Sequence, residues 1–282
     1  MVTLYPYLDH ILIAVKSLSK ASEAFERLGF TLTPEGVHPG RGTHNRLMVF
    51  GPDYLELIAI RDRDEGVFRR SMVEFLKTRE GLYMFALGTS DIQASAAAMR
   101  GRGVQVGDPQ EGARQSSGGS PGYTWHAVRV PAEAAPGSET FLIQHHSTVQ
   151  QRYTVPADPT RHPNGATGVH SLALAVADLP AATAAWERVL GLGPAVARTV
   201  ADGSQRVRFR LGNCSLDLMS PQSGGFPFPL SLTVRVRDLR ATASSLQASG
   251  VPAARQKAEN GEIIAVAAEQ ASGVALQFVQ AG

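Results

Sequence analysis

The sequence predicts an α+β fold built from four modules of the βαβββ type, with mostly antiparallel sheets. Three observations support this prediction: an internal repeat, the strands that follow each predicted helix, and a polar segment that divides the chain. The repeat is considered first, because a fixed internal pattern determines the architecture of a whole chain. Its four copies run from His10 to Phe30, Met84 to Val104, Ser171 to Leu192 and Ser231 to Val251.

Each copy opens with apolar and β-branched residues, which predict a buried or half-buried strand. An amphipathic helix follows, with apolar residues at helical spacing, as at Ala21, Phe25 and Leu28 in the first copy. A glycine just past each helix can adopt the left-handed conformation that ends a helix. These glycines are Gly29, Gly103, Gly191 and Gly250.

Short strands follow the helices, for example RLMVFG and YLELIAI in the first copy and RVRFRLG and SLDLMSP in the third. Two connecting segments are longer. Residues 61–80 predict a solvated helix between the first two modules. Residues 107–122 are rich in Gly and Ser, and they predict a loop that is either a lid or a mobile insertion.

The chain length of 282 residues suggests two domains, because a domain has on the order of 150 residues. The segment QQRYTVPADPTRHPNGA is rich in Pro and polar residues and is typical of a linker. We therefore predict domains at residues 1–150 and 168–282, joined by a linker at residues 151–167.

Composition limits the partners. The net charge is +2 and the 27 basic residues are scattered, so a nucleic acid partner is not expected. The single cysteine, Cys214, excludes an internal disulfide and fits a reducing compartment. The N-terminus lacks a signal-peptide pattern and the apolar runs are too short to span a bilayer. We expect a cytoplasmic protein with a small-molecule ligand and no membrane partner, whose sheet edges allow a homodimer.

The repeated strand, turn, helix and Leu-Gly pattern, followed by a strand reading LEL, resembles the glyoxalase/bleomycin-resistance/dioxygenase (vicinal oxygen chelate) superfamily. The segments HPGRGTHNRLMVFGPDYLELIAI and RHPNGA are similar to a bacterial glyoxalase-like domain family. This resemblance implies two glyoxalase-like domains, in each of which two modules curve a sheet around a cup. It also implies a divalent metal ion (Zn, Mn, Fe, Ni or Co) in the cup, held by one residue on the first strand and one on the last strand of each module.

The position of the implied first-strand ligand can be found in each copy from its fixed spacing before the turn. It holds His10 in the first module and Met84, Ser171 and Ser231 in the others. Glu56 occupies the acid position of the first module, and the same spacing gives Asp217 and Gln277 in the third and fourth. His170 lies one residue before its ligand position, so strand alternation predicts that it points to the opposite face.

The first domain therefore holds the candidate metal site, with His10 and Glu56 as ligands. The strand FLIQHH would complete the set with Gln144 or His146, which alternation places on the face opposite His145. The second domain has no imidazole at its ligand positions, so its ligand set is degenerate. The candidate substrate-binding residues are His44, Asn45, Arg46, Arg114 and Trp125.

The leading hypothesis is a divalent-metal-dependent lyase, isomerase or oxygenase-type enzyme that acts on a small oxygenated molecule. The metal would stabilise an enediolate-like anion, Glu56 would act as the catalytic base, and Arg46 or Arg114 would hold an anionic group. The alternative is a metal-free protein that binds or sequesters a small molecule. An Fe(II) extradiol dioxygenase ranks lower, because Ser171 and Ser231 stand where that group has ligands, and Met84 departs from the pattern of lactoylglutathione lyase.

Overall fold

The computed structural model describes residues 7–62, 69–116, 122–148, 152, 158–193, 195–200, 203–220, 229–258 and 261–281. The first half of the chain contains β1 (Tyr7–Ala14), α1 (Leu18–Arg27), β2 (Gly36–His38), β3 (Thr43–Val49), β4 (Tyr54–Ile60), α2 (Arg69–Thr78), β5 (Gly81–Gly88), α3 (Ile92–Gly101), β6 (Gln110–Ser116), β7 (Tyr123–Val130) and β8 (Glu139–His145). The second half contains β9 (Ala166–Ala175), α4 (Leu179–Leu190), β10 (Ala197–Thr199), β11 (Gln205–Arg210), β12 (Ser215–Ser220), β13 (Pro229–Val236), α5 (Leu239–Ala248), β14 (Ala253–Ala258), β15 (Gly261–Val266) and β16 (Leu276–Gln280).

This order confirms the predicted α+β fold, because a strand, a helix and three strands recur four times. Local capping explains why the helices begin and end at corresponding places. Ser17, Asp91, Asp178 and Asp238 precede the four module helices, and each side chain accepts a hydrogen bond from a backbone N–H of the first turn. All four predicted helix-ending glycines have a positive φ.

The first two modules form a closed barrel with the strand order β1-β4-β3-β2-β6-β7-β8-β5. The short pairing of β2 with β6 closes it, through Gly36 opposite Ser116 and Val37 opposite Gln115. The absence of a side chain at Gly36 leaves room for Arg114, since a Cβ atom here would lie 2.2 Å from its guanidinium carbon. The barrel encloses an interior that is separate from the core under α1 and α3.

Helix α2 closes part of the barrel interior. Its Met72 and Leu76 side chains are buried against Leu12, Ile58 and Met84 of the barrel strands. The prediction of a solvated helix in this segment is therefore wrong for the inner side of α2, because its apolar residues fill the interior of the barrel.

The Gly/Ser-rich segment also differs from its prediction. Residues 110–116 form strand β6 and residues 123–130 form strand β7, which pair with each other from Gln110 opposite Ala127 to Arg114 opposite Tyr123. Residues 117–121 lie outside the described residues. The predicted loop is thus mainly a hairpin of the barrel.

The last two modules form an open eight-stranded sheet in the order β10-β11-β12-β9-β13-β16-β15-β14. One hydrophobic core extends beneath both sheets. Trp186 of α4 stacks on Phe85 of the barrel with a centroid distance of 5.6 Å, and its indole N–H donates to the carbonyl of Pro136 at 3.0 Å. Within the described residues, no helix is long and apolar enough to span a membrane.

Candidate functional site

The barrel of the first domain contains a cavity of about 400 Å³. Its wall is apolar where Leu12, Ile58, Met84 and Phe141 line it. Elsewhere a group of polar side chains faces it, and this group contains His10, His38, Asn45, Glu56 and His145. A cavity with an apolar wall and a few convergent polar groups is the usual form of a small-molecule site.

Strand β1 supplies two consecutive residues to this site because it contains a β-bulge. Leu8 pairs with Leu87 and His10 pairs with Ala86, so Asp9 is an extra residue in β1. Strict alternation would send Asp9 and His10 to opposite faces of the sheet. The bulge allows both side chains to lie on the same side of the strand. The flanking residues Leu8 and Ile11 instead belong to the core under the helices.

Asp9 holds two histidines. Its Oδ1 atom lies 2.7 Å from Nδ1 of His10 and 3.1 Å from Nε2 of His145. Burial raises the pKa of Asp9, but the hydrogen bonds from the two histidines outweigh burial and hold the pKa well below its usual range. The ionised carboxylate only accepts, so His10 carries a proton on Nδ1 and directs Nε2 away from Asp9.

On the opposite side, Glu56 is held by an ordered chain of hydrogen bonds. Arg114 Nε, which can only donate, lies 2.8 Å from Oδ1 of Asn45 and so fixes the orientation of the amide. Asn45 Nδ2 then donates to Oε1 of Glu56 at 2.8 Å and reaches Nε2 of His38 at 3.2 Å. One oxygen of Glu56 is occupied in this way, and Oε2 points towards His10.

The same chain determines the state of His38. Its Nε2 atom accepts from Asn45, so the ring carries its proton on Nδ1, which lies 2.9 Å from Oγ1 of Thr43. Burial lowers the pKa of His38 to about 4, although the charge of Glu56 opposes this shift. His38 is therefore a neutral, fixed imidazole at neutral pH.

His10 and Glu56 meet at the centre of the site. Nε2 of His10 lies 3.5 Å from Oε2 of Glu56, and both side chains are buried. The His10 ring is held in place by Tyr54, which stacks on it at 4.4 Å, and by the edge of Phe141 at 5.6 Å. These two atoms face each other on the cavity wall, where a bound molecule can contact both of them.

The metal implied by the resemblance requires more donors than this pair. Strand register identifies the remaining ligand positions, because Leu12 pairs with Glu56 in the first module and the equivalent Ala86 pairs with Phe141 in the second. The four inward positions are therefore His10, Glu56, Met84 and Phe141, and the last two supply a thioether and a benzene ring.

Among the described residues, His38 does not supply a third donor. His38 Nε2 lies 3.8 Å from Oε1 of Glu56, but both atoms already contact the amide of Asn45. In the part of the chain that the structure describes, no group of three His, Cys, Asp or Glu side chains is arranged to hold a metal ion. Catalytic zinc sites have three protein ligands and structural sites have four, so these residues do not fit the metal centre of the superfamily.

Two of the predicted metal ligands lie away from the cavity. The side chain of Gln144 accepts from the backbone N–H of Ile92 at 3.0 Å and donates to the carbonyl of Ser90 at 2.8 Å, where it caps the start of α3. His146 is exposed and lies 2.7 Å from Nδ1 of His126. Both face outward because His145, on the other face of β8, points into the barrel.

The predicted substrate-binding residues separate into two groups. Asn45 and Trp125 line the cavity, and Arg114 contacts Asn45. His44 and Arg46 flank Asn45 in β3 and therefore point outward. His44 pairs with Glu35 at 2.9 Å and Arg46 with Glu26 at 3.1 Å, on the outer surface of the barrel.

Sequence reasoning did not include Asp9, His38 or His145 among the site residues. A carboxylate beside a histidine in an otherwise apolar strand is a signal for Asp9, because a buried charge needs a partner. Alternation separates the two faces of β8 correctly, but the predicted ligands Gln144 and His146 lie on the outward face and His145 lies on the inward one. For His38, no sequence pattern indicates that β2 reaches the interior.

The second domain fills its corresponding positions with internal contacts. Asp217 forms a two-point ion pair with Arg208, with distances of 2.7 Å and 2.6 Å. Gln277 accepts from Thr233 at 3.2 Å. The alternation argument for His170 does not hold, because β9 has a bulge there: Ser171 pairs with Thr233 and Val169 with Val234.

Four βαβββ modules paired into two units define a protein of the glyoxalase/dioxygenase, or vicinal oxygen chelate, superfamily. The chain belongs to the glyoxalase-like domain family, because the model of that family matches residues 8–190. No curated protein matches the chain.

Several solved structures share the fold. A hypothetical protein from Staphylococcus aureus is 13% identical with a TM-score of 0.68, covering 97% of this chain and 99% of its own. A xylose isomerase-like TIM barrel/4-hydroxyphenylpyruvate dioxygenase fusion protein is 14% identical with a TM-score of 0.67, and the match covers all of this chain but half of the fusion protein. A triple mutant of 4-hydroxymandelate synthase from Streptomyces coelicolor is 12% identical with a TM-score of 0.67, covering 99% of this chain and 93% of its own. At these identities the similarity concerns the fold alone.

Proposed function

We propose that this chain is an enzyme that binds a small molecule in the barrel of the first domain and transfers protons with His10 and Glu56. The observation that carries the proposal is the approach of His10 Nε2 to Glu56 Oε2 at 3.5 Å on the cavity wall. Asp9 holds the far nitrogen of the ring, which is how a carboxylate orients a histidine for acid–base catalysis.

The expected substrate has an apolar body and one polar end with a C–H bond next to a carbonyl group. The apolar body matches the wall formed by Leu12, Ile58 and Met84, while the polar end matches the group around Asn45. Arg41 adds a positive charge beside Trp125, at 5.8 Å from the ring centroid. The volume of about 400 Å³ suits a molecule of small-metabolite size.

The reaction that fits these groups is enolisation. Glu56 Oε2 takes the proton from the substrate carbon as the C–H bond breaks. His10 gives its Nε2 proton to the carbonyl oxygen, so an enol forms and no oxidant or reductant is needed. In a 2-hydroxy ketone the enol is an enediol; Glu56 returns its proton to the former carbonyl carbon while the other hydroxyl gives its proton to His10 and becomes the new carbonyl, which gives an isomerase. With a leaving group on the next carbon, the enol returns its O–H proton to His10, the carbonyl re-forms and the group departs with its electron pair, which gives a lyase. Asp9 accepts a hydrogen bond from Nδ1 of His10 and so keeps Nε2 directed into the cavity.

A divalent metal ion is the cofactor that the resemblance implies, and His10 and Glu56 are the residues that would bind it. With only these two donors the ion would lack the three protein ligands of a catalytic site. We therefore propose proton transfer by His10 and Glu56 without the ion. A metal-free binding protein is the second candidate. It is favoured by the apolar wall and by the hydrogen bond between His38 and Asn45, which leaves these polar groups already paired within the protein.

The test is hydrogen–deuterium exchange at carbon, measured by NMR in D₂O with chelator-treated protein. The substrates are a panel of 2-hydroxy ketones, 2-oxo acids and aryl ketones. We expect exchange with at least one compound, reduced by about 10² or more in Glu56→Gln and in His10→Ala. His44→Ala, on the outer surface, is the matched control and retains the wild-type rate.

The other outcomes separate the candidates. Compounds that bind to the wild type without exchange support the binding protein. Exchange that appears only after a divalent ion is added, and that Glu56→Gln abolishes together with ion binding, supports the metal-dependent enzyme. Either result contradicts the proposal of metal-free proton transfer.

A further inference from the structure

A side chain from the second domain holds the backbone next to Asp9. Asn213 lies in the turn between β11 and β12, and its amide makes two hydrogen bonds to Leu8 of β1. The backbone N–H of Leu8 donates to Oδ1 of Asn213 at 3.0 Å, and Nδ2 of Asn213 donates to the carbonyl of Leu8 at 2.9 Å. Both polar groups of Leu8 are therefore satisfied by one side chain of the other domain.

A corresponding contact runs in the opposite direction, from a side chain of the first domain to a backbone group of the second. Asp53 lies in the corresponding turn between β3 and β4, and its Oδ2 accepts from the backbone N–H of Val169 at 3.2 Å. Val169 precedes the bulge at His170 as Leu8 precedes the bulge at Asp9. Asn213 Nδ2 also lies 3.2 Å from Oδ2 of Asp53, so the two contacts meet at one point between the domains.

These contacts matter because a bulge interrupts the ladder of hydrogen bonds. Backbone groups beside an extra residue lose their regular partners, and buried groups without partners are costly. Asn213 provides partners for both backbone groups of Leu8, the residue directly before the bulge. The bulge in turn places Asp9 beside His10 and within 3.1 Å of His145.

We infer that the second domain serves the barrel site by positioning it, and that Asn213 is the positioning residue for Asp9 and His10. Among the described residues of the second domain, Asp217 at the acid position is already paired with Arg208. The inference concerns the site on which the proposed function rests, but it is tested through the histidine rings and not through turnover. Its failure is therefore distinguishable from failure of the proposed function.

The experiment compares long-range ¹H–¹⁵N spectra of the histidine rings in the wild type, Asn213→Ala and Asn213→Asp. In the wild type, the Nδ1 proton of His10 is held by buried Asp9 and exchanges slowly with water. We expect this proton to exchange at least tenfold faster in Asn213→Ala, with altered His10 and His145 shifts. Asn213→Asp keeps the acceptor for the Leu8 N–H, but it loses the donor to the Leu8 carbonyl and places a second carboxylate beside Asp53. We expect a change in the same direction.

Arg102→Ala is the matched control. Arg102 donates to the carbonyls of Arg188 and Val189 at 2.5 Å and 3.1 Å, so it also joins the two halves of the chain, but it does not line the cavity. We expect Arg102→Ala to lower the melting temperature and to leave the His10 signals unchanged. His10 signals that are the same in folded Asn213→Ala or Asn213→Asp as in the wild type would overturn the inference, as would an equal change in Arg102→Ala.

Discussion

At the residue scale, the chemistry of the site follows from which atoms of each side chain are already occupied. Asp9 accepts hydrogen bonds from Nδ1 of His10 and Nε2 of His145, and Asn45 donates one to Oε1 of Glu56. His10 Nε2 and Glu56 Oε2 therefore remain for the ligand. An acid and a base whose other atoms are fixed in this way can transfer protons without reorganising their surroundings.

The role of Asp9 leads to the first prediction. Asp9→Asn retains the size of the side chain but cannot stabilise a charged His10, so we expect turnover to fall by about 10²–10⁴. The rate of carbon-bound hydrogen exchange measures this effect. Glu35→Gln weakens the His44–Glu35 pair on the outer surface and is the control. A rate within a factor of about three of the wild type in Asp9→Asn would argue against the acid–base role.

His38 gives a prediction about pH. Its pKa is lowered by burial to about 4, from 6.5 in an unfolded chain. The neutral ring therefore stabilises the fold above pH 6.5, and this contribution, about 3 kcal/mol, is lost as the pH falls from 6.5 towards 4. An NMR titration should show no charging of His38 between pH 8 and about 5. A titration midpoint of His38 near 6.5 would show that burial and the Asn45 hydrogen bond do not lower its pKa.

At the element scale, the predictable and unpredictable parts of the site differ in physical origin. The repeat and the four helix-ending glycines depend on local patterns, and the structure has them where the sequence predicts them. The faces of strands were harder to predict, because a bulge at Asp9 or His170 shifts the alternation by one residue. The second-module residue equivalent to Glu56 was predicted wrongly for a related reason. The register of β5 and β8 identifies this residue as Phe141 only after the strands are paired.

Strand register also predicts how a metal centre could be created. Met84→His with Phe141→Glu restores an imidazole and a carboxylate at the two apolar positions that face His10 and Glu56. We expect this double variant to bind about one equivalent of Zn²⁺ or Ni²⁺, measured by elemental analysis after dialysis. Met84→His alone, with three nitrogen or oxygen donors at most, is the comparison and should bind more weakly. Stoichiometric metal in the wild type under the same conditions would show that the existing donors suffice.

At the scale of the whole molecule, the two sheets share a hydrophobic core and meet in a buried polar contact around Asp53 and Asn213. Burial raises the pKa of Asp53 to about 6, although the Val169 N–H and the charge of Arg235 oppose the shift. Oδ1 of Asp53 has no hydrogen-bond partner among the described residues. The interface thus contains a carboxylate that is costly to ionise.

This cost can be measured. A raised pKa means that the folded chain favours the protonated acid, so stability is full below pH 3.8 and falls as the pH rises towards about 6. Asp53→Asn removes the ionisation and is expected to raise stability at pH 7.5 by up to about 3 kcal/mol, with little change at pH 4. Urea unfolding at the two pH values provides the comparison. Equal destabilisation of Asp53→Asn at both would contradict this account of the interface.

The decisive question is whether His10 and Glu56 transfer a proton at the carbon of a small molecule bound in the barrel. Exchange of carbon-bound hydrogen in D₂O, followed by NMR with chelator-treated wild type, Glu56→Gln and the outer-surface variant His44→Ala, answers it. We expect exchange in the wild type and in His44→Ala, and a rate lower by about 10² or more in Glu56→Gln. Equal exchange rates in the wild type and Glu56→Gln would contradict the proposed roles of the two residues.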